Sequence, residues 1–237
     1  MTMWSRSIWE RNTMLEVEGI NAFYGDFHVL HDASLSVNKG ELVAVVGANG
    51  HGKSTLLKAI CGLTPVKSGA IRFDGGDTAG LKAPQLVGQG LVYVAEDRRL
   101  FPDMTVLENL LLGAYLPAAR AAEKHNLDRV FSLYPRLAER RNQLCRSLSG
   151  GEAQMVALGR GLMSDPALLA IDEPSLGLAP NLTETMLQTV SQLNKDGLTV
   201  LIVEQSLALL NGMIDRVYSI EEGVLRETDT DNMQEVL

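Results

Sequence analysis

The 237-residue sequence has few cysteines and no long apolar run. Its two cysteines, Cys61 and Cys145, are far apart and outside any C-x-x-C spacing, which excludes a disulfide framework and a cysteine metal site and suits a reducing compartment. The longest apolar stretches, such as residues 42–46 and 198–203, fall far short of the roughly 20 residues that a membrane-spanning helix needs. We therefore expect a chain that does not cross a bilayer.

The sequence also lacks an excess of basic residues. Lys and Arg total 21 against 29 for Asp and Glu, so the net charge is -8, and no basic run offsets it locally. This balance argues against nonspecific binding to the phosphates of nucleic acid, so we expect no nucleic-acid partner. Hydrophobic residues at 46% and charged residues at 21% are typical of a folded globular domain.

The first residues contain no continuous apolar segment of the kind that a secretory signal requires. We expect residues 1–13 to form a disordered extension without a role, and residues 14–237 to form one domain. In that domain short β-rich runs alternate with helical patterns, which is typical of an α/β fold with a largely parallel sheet. The pattern predicts a small antiparallel sheet from strands near 15–20, 34–37 and 70–73, a helical subdomain at about 97–164, buried strands at 167–171 and 199–203 joined by a helix at 181–194, and a hairpin at 217–224.

Residues 47–54 match the phosphate-binding pattern G-x-x-x-x-G-K-[ST]. An apolar strand precedes the motif and a helix starting near Lys53 follows it, as the mechanism requires. Glycines allow the backbone N–H groups to turn inward toward phosphates, Lys53 can reach the β and γ phosphates, and the Ser54 hydroxyl can bind Mg²⁺. We therefore predict that ATP and Mg²⁺ are bound here. The predicted nucleotide-binding residues of this loop are Gly47, Asn49, Gly50, Gly52, Lys53, Ser54 and Thr55.

A second motif is an apolar strand that ends in two carboxylates, Asp172 and Glu173. In P-loop proteins such a strand lies beside the phosphate loop and its first acid holds Mg²⁺, which assigns Asp172 as a metal ligand. Glu173 can accept a proton from the water that attacks the γ phosphate. Taken alone, the pair would more often be a solvated strand end, and it is the phosphate loop that favours the catalytic interpretation.

The third motif, Leu148-Ser-Gly-Gly-Glu152, has capping-box spacing between Ser149 and Glu152 and alone would be an ordinary helix start. With the other two motifs in this order, the chain resembles the ATP-binding cassette (ABC) ATPases from about residue 15 to its end. The resemblance implies a P-loop NTPase of the α/β class with an antiparallel β subdomain and an inserted helical subdomain. It also implies ATP hydrolysis.

The resemblance further implies that two such domains pair head to tail, as a homodimer or a heterodimer. Each ATP then lies between the phosphate loop of one chain and the LSGGE helix start of the other. Ser149, Gly150 and Gly151 would present a helix N-terminus to the γ phosphate. Tyr24 matches the aromatic residue that stacks on adenine, and its alternative is a core tyrosine of the β subdomain.

The chain departs from the general ABC pattern at two positions. Glu96 stands where a glutamine is expected, and Gln205 stands where a histidine is expected. Gln205 can donate an amide hydrogen bond to the γ phosphate but cannot change charge near neutral pH. The expected catalytic residues are thus Glu173 as sole base, Lys53 and Gln205, while Glu96 adds a carboxylate that can bind nucleotide-associated water or Mg²⁺.

Together with residues 101–110 and 174–180, these departures make the chain similar to the shorter ATPase subunit of high-affinity branched-chain amino acid importers. That family implies separate integral-membrane permease subunits, a solute-binding protein that acts indirectly, and a place on the cytoplasmic face of the inner membrane. Three alternatives stay open: a urea, amide or aromatic-acid importer of the same family, a soluble ABC protein without a transport role, and an inactive binding scaffold.

Overall fold

The computed structural model describes residues 12–228. The predicted extension therefore lies outside the described residues up to position 11, whereas Thr13 already begins the first strand. The strands are β1 (Thr13–Tyr24), β2 (Phe27–Asn38), β3 (Leu42–Val46), β4 (Val66–Phe73), β5 (Gly76–Asp77), β6 (Leu91–Val94), β7 (Leu168–Asp172), β8 (Thr199–Glu204), β9 (Arg216–Glu221) and β10 (Val224–Thr228). The α-helices are α1 (Lys53–Ile60), α2 (Ala83–Gly88), α3 (Val106–Leu111), α4 (Pro117–Ala121), α5 (Glu123–Leu133), α6 (Pro135–Glu139), α7 (Gly150–Leu162) and α8 (Pro180–Lys195).

A four-stranded antiparallel sheet has the order β2-β1-β4-β5. Its long hairpin pairs Leu15 with Val37 and Val17 with Leu35, and all four side chains are buried on one face. Alternation of apolar and polar residues is what places one face on the core and the other in water. The predicted antiparallel sheet is confirmed.

A six-stranded sheet has the order β10-β9-β3-β8-β7-β6 and is parallel except for the β9–β10 pair. Because neighbouring strands are parallel, the carboxyl ends of β3, β7 and β8 lie at one edge of the sheet. The loops that follow these three strands contain the predicted phosphate loop, Glu173 and Gln205. The topology therefore gathers motifs that are far apart in sequence.

Both faces of this sheet are covered, which explains the continuous apolar composition of its strands. Val43 and Val45 of β3 face the core shared with α1 and the antiparallel sheet. Leu42, Ala44 and Val46 face the second core, which includes residues of α3, α5, α7 and α8. The predicted α/β class with an antiparallel sheet is confirmed.

Five helices, α3 to α7, lie between β6 and β7, in the region where helical periodicity was expected. The capping boxes at the starts of α3 and α7 are both formed. Thr105 Oγ1 accepts from the Glu108 N–H at 3.1 Å, and Ser149 Oγ accepts from the Glu152 N–H at 3.3 Å. The limits of the helical subdomain, about 97–164, stay a prediction. Within residues 12–228, no helix is long and apolar enough to cross a membrane.

Candidate active site

The phosphate loop occupies residues 47–52, between the end of β3 and the start of α1. Gly47 is required there because a Cβ atom would overlap the carbonyl oxygen of Ile220, a backbone atom that cannot move aside. Gly52 has φ 101° and forms the N-cap of α1 without any side-chain acceptor for the first-turn N–H groups. These uncapped donors and the helix dipole suit an anion such as phosphate.

Lys53 lies at the centre of the loop, with only 3% of its side chain exposed. Its Nζ donates to the carbonyl oxygens of Gly47 at 2.8 Å and Ala48 at 3.0 Å. It also forms an ion pair with Glu173 Oε1 at 2.9 Å. The ammonium group therefore connects the predicted phosphate loop directly to the predicted base.

Asp172 ends β7 and is buried. It accepts hydrogen bonds from Ser54 Oγ at 2.9 Å and from the Tyr93 hydroxyl at 2.6 Å. Burial raises the pKa of Asp172, and the two hydrogen bonds oppose that shift. Burial and the bond to Asp172 also raise the pKa of Tyr93, which keeps its hydroxyl a donor.

The pairing of Ser54 with Asp172 brings two of the predicted Mg²⁺ ligands together. A hydroxyl and a carboxylate oxygen suit a hard cation that takes its remaining ligands from phosphate and water. Within residues 12–228, no group of three or more His, Cys, Asp or Glu residues forms a metal site by itself. The Ser54 hydroxyl and the Asp172 carboxylate are donors that fit Mg²⁺ bound together with a nucleotide.

Glu173 is 6% exposed and has φ 39°, in the left-handed region that non-glycine residues rarely adopt. Its N–H donates to the Val203 carbonyl at 3.0 Å, which joins the end of β7 to β8. Gln205 Nε2 donates to Glu173 Oε2 at 2.6 Å. Each carboxylate oxygen of Glu173 is thus held by a different side chain, Oε1 by Lys53 and Oε2 by Gln205.

A neighbouring carboxylate, Glu204, was not expected from the sequence. It is buried and accepts from the Ser175 N–H at 3.0 Å and the Ser175 hydroxyl at 2.8 Å. Burial raises the pKa of Glu204, and the bonds from Ser175 oppose the shift. This contact fixes the loop after Glu173 against the end of β8.

Glu96 follows β6, and its side chain is exposed. Partial desolvation and then the negative charges of Glu173 and Asp172 raise the pKa of Glu96. Within residues 12–228, Glu96 has no hydrogen bond or ion pair. Its predicted role toward Mg²⁺ or water stays a prediction.

Tyr24 lies at the end of β1 and is 52% exposed, whereas a core tyrosine would be buried. The hydroxyl of Thr64 and, less strongly, that of Thr55 lower the pKa of Tyr24, while partial burial opposes the shift. Asn49 and Gly50 of the phosphate loop are also exposed. These positions leave one side of the loop open.

Ser149, Gly150 and Gly151 are not brought to this cluster. They begin α7, and within the described part of the chain no hydrogen bond joins them to the phosphate loop. Ser149 and Gly150 are exposed, while a Cβ on Gly151 would lie 2.5 Å from Leu182 of α8. The predicted role of Ser149–Gly151 toward a nucleotide stays a prediction, and among the described residues the start of α7 is not hydrogen-bonded to the chain's own phosphate loop.

Comparison with known proteins gives the family. A family model described as ABC transporter matches residues 30–176, which is more than half of the chain. The chain belongs to the ABC transporter family. Its place among the ATP-binding members makes it an ABC ATPase, which binds and hydrolyses ATP.

The sequences of two relatives and the folds of two solved structures support this assignment. The branched-chain amino acid transport ATP-binding protein BraG of Pseudomonas aeruginosa is 42% identical over 217 residues, covering 92% of this chain and 93% of BraG. A probable branched-chain amino acid transport ATP-binding protein, LivF of Archaeoglobus fulgidus, is 34% identical, with 92% and 93% covered. A nucleotide-free ATP-binding cassette from an ABC transporter has a TM-score of 0.84 at 29% identity, with 94% of each chain covered. A cassette in its ADP conformation has a TM-score of 0.82 at 29% identity, with 95% and 94% covered.

Proposed function

We propose that this ABC ATPase energises the uptake of branched-chain amino acids, or of a related small polar solute, through separate integral-membrane subunits. The observation that carries the ATPase half is the hydrogen-bonded cluster in which Lys53 and Gln205 hold the two oxygens of Glu173. The transport half is supported by the names of BraG and LivF and by the extent of the similarity to them.

In the proposed mechanism Lys53 binds the β and γ phosphates and gives up its ion pair with Glu173 as it does so. Glu173, released from the ammonium group, accepts a proton from the attacking water. Gln205 orients this carboxylate and donates to the γ phosphate. Mg²⁺, held by Ser54 and Asp172, would neutralise charge on the phosphate oxygens.

We propose that the second half of each ATP site comes from a partner ATPase subunit, which is either a second copy of this chain or a sister subunit. The separation of Ser149–Gly151 from the phosphate loop supports this arrangement, because one chain leaves its own nucleotide contacted on one side only. The exposed ring of Tyr24 would stack on the adenine of the chain's own nucleotide.

The helical subdomain is the proposed contact with the permease subunits. Three large apolar side chains are exposed in or next to it, those of Phe101, Leu112 and Tyr115. These side chains offer apolar area to a protein partner, provided that they form one contiguous patch on the surface. The chain would then act at the cytoplasmic face of the inner membrane, and the solute-binding protein would influence it only through the permease.

The test is to purify the chain with the membrane subunits that accompany it and to measure ATP hydrolysis in liposomes. Leucine, isoleucine or valine on the solute-binding protein should stimulate hydrolysis, while urea, a short amide and an aromatic acid should not. Stimulation by one of these last three instead would reassign the solute within the same family. Failure to enrich any integral-membrane subunit would favour an ABC ATPase without a transport role.

The same preparation tests the catalytic cluster. Lys53→Ala should lose nucleotide binding, and Glu173→Gln should lose hydrolysis while it retains binding. Retention of wild-type turnover in both variants would contradict the site.

A further inference from the structure

The segment that follows β6 contains two consecutive non-glycine residues in the left-handed region, Arg98 with φ 59° and Arg99 with φ 47°. This conformation is unfavourable for an L-amino acid, so other contacts must impose it. Arg160 of α7 supplies them, because its two terminal nitrogens donate to the carbonyl oxygens of Arg99 and Arg98, each at 2.7 Å. The segment next to Glu96 is therefore fixed to α7 through its backbone.

The side chain of Arg98 makes a second connection. Its Nε donates to Gln154 Oε1 at 2.9 Å, in the first half of α7. One terminal nitrogen lies 3.5 Å from the carbonyl oxygen of Leu176, in the loop after Glu173. A single guanidinium group thus lies between the start of α7 and the loop that leaves the catalytic base.

The surroundings of Gly150 show how closely these elements approach. A Cβ placed on Gly150 would lie 3.8 Å from both terminal nitrogens of Arg98 and 3.8 Å from the carbonyl oxygen of Gly177. The helix start, Arg98 and the loop at 174–180 therefore meet at one point. A displacement of Arg98 would therefore change the surroundings of Gly150.

The Arg98–Gln154 contact contributes little net stability to the fold. Gln154 is 2% exposed, and within residues 12–228 its Nε2 atom has no hydrogen-bond partner. A buried unsatisfied amide donor is destabilising, and its cost offsets most of what one charge-assisted hydrogen bond contributes. The amide of Gln154 is oriented so that its oxygen accepts from Arg98, and this orientation leaves its Nε2 without a partner. The contact is therefore better explained by the position it gives to Arg98 than by a gain in stability.

We propose that Arg98 is a positioning residue for ATP hydrolysis. It sets the start of α7 relative to the loop after Glu173, so that Ser149–Gly151 meet the nucleotide of the partner chain in the productive orientation. The inference rests on the proposed function, because it needs two ATPase subunits that share each nucleotide. In this proposal the side chain of Arg98 connects the loop after Glu173 to Ser149–Gly151, the residues that contact the nucleotide of the partner chain.

The experiment compares Arg98→Ala, Gln154→Met and Arg99→Ala in the purified complex. Arg99→Ala is the matched control, because among the described residues its exposed side chain bonds Asp97 alone, and the carbonyl that Arg160 holds is retained. Arg98→Ala and Gln154→Met should each lower kcat by at least about tenfold, since misplacement by roughly 1 Å can cost about 100-fold. ATP affinity should stay within about twofold, and Arg99→Ala should match wild type in both.

Gln154→Met keeps the proposal testable if Arg98→Ala folds poorly, because an apolar side chain of similar shape removes the acceptor and the unsatisfied donor together. The double variant should be no slower than the worse single variant, as expected for two residues that act through one contact. Either of two results would overturn the proposal: turnover in Gln154→Met equal to that of Arg99→Ala, or a loss of ATP affinity as large as the loss of kcat.

A readout that does not need turnover separates this proposal from the proposed function. Hydrogen exchange at residues 149–156 should be faster in Gln154→Met than in wild type, while exchange in α1 is unchanged. Unchanged exchange at 149–156 would refute the positioning role. Absence of ATP hydrolysis in wild type, with the exchange difference present, would instead refute the proposed function alone.

Discussion

Replacement of Glu173 by glutamine should separate ATP binding from ATP hydrolysis. The carboxylate is buried, and its two oxygens are bonded to Lys53 Nζ at 2.9 Å and Gln205 Nε2 at 2.6 Å. A glutamine has nearly the same shape, and an amide flip of Gln205 can restore a donor–acceptor pair between the two amides. The site should therefore keep its geometry and lose its proton acceptor.

The size of each effect follows from these contacts. Loss of a general base lowers the hydrolysis rate by about 100- to 10,000-fold, or about 3–5 kcal/mol of barrier. The affinity for ATP should rise, because Lys53 no longer has to break an ion pair with a carboxylate in order to bind phosphate. Exchange of a charge-assisted hydrogen bond for a neutral one is worth about 1 kcal/mol, which predicts roughly fivefold tighter ATP binding.

Single-turnover hydrolysis and equilibrium ATP titration measure the two quantities separately. Glu18→Gln is the control, since Glu18 makes an exposed, solvent-screened ion pair with Arg72 at 2.9 Å that should contribute little to stability. It should hydrolyse and bind ATP as wild type does. Glu173→Gln with hydrolysis within about threefold of wild type would refute the assignment of Glu173 as the base.

Three further predictions concern other contacts. Tyr93→Phe removes the hydroxyl that orients Asp172, so the Mg²⁺ concentration needed for half-maximal hydrolysis should rise about three- to tenfold; an unchanged Mg²⁺ titration would exclude the role of Tyr93. Ser149→Ala removes the N-cap of α7 and should lower the free energy of unfolding by about 1 kcal/mol, which thermal denaturation would report as a Tm lower by about 2–4 °C. Burial raises the pKa of Cys61 from 9.0 to about 12, so its thiol should react with Ellman's reagent at pH 8 only after unfolding. Because only the unfolded thiol ionises between these two values, this group's contribution to stability should fall as pH rises above 9.0, and rapid labelling of the native protein would contradict its burial.

The parts of the fold that were predictable have local signals. The glycines of the phosphate loop, the apolar run of β3 and the two capping boxes each specify a conformation within a few residues. The short helix α2 and the two-residue strand β5 were not predicted, because neither is long enough to show a period. Because the carboxyl ends of parallel strands lie at one edge of the sheet, the order of the strands is enough to predict that these distant motifs come together.

The contacts that were missed join residues that are distant in sequence. The Tyr93 hydroxyl reaches Asp172 from the neighbouring strand, and Glu204 reaches Ser175 from the next strand on the other side. Nothing in the residues around Tyr93 or Glu204 indicates such partners. The left-handed backbone of Glu173 was equally unpredictable, because residue type signals that conformation reliably only for glycine.

Strand β8 holds the backbone around Glu173, and this decides which neighbouring residues can be replaced without displacing the base. Its N–H is bonded to Val203, and the next loop residues are bonded through Ser175 to Glu204, so the backbone on both sides of the carboxylate is fixed by β8 itself. Gln205 is exposed and contacts the side-chain carboxylate of Glu173 rather than its backbone. Replacement of Gln205 by histidine should therefore leave the backbone of the base in place, whereas loss of Glu204 should displace it.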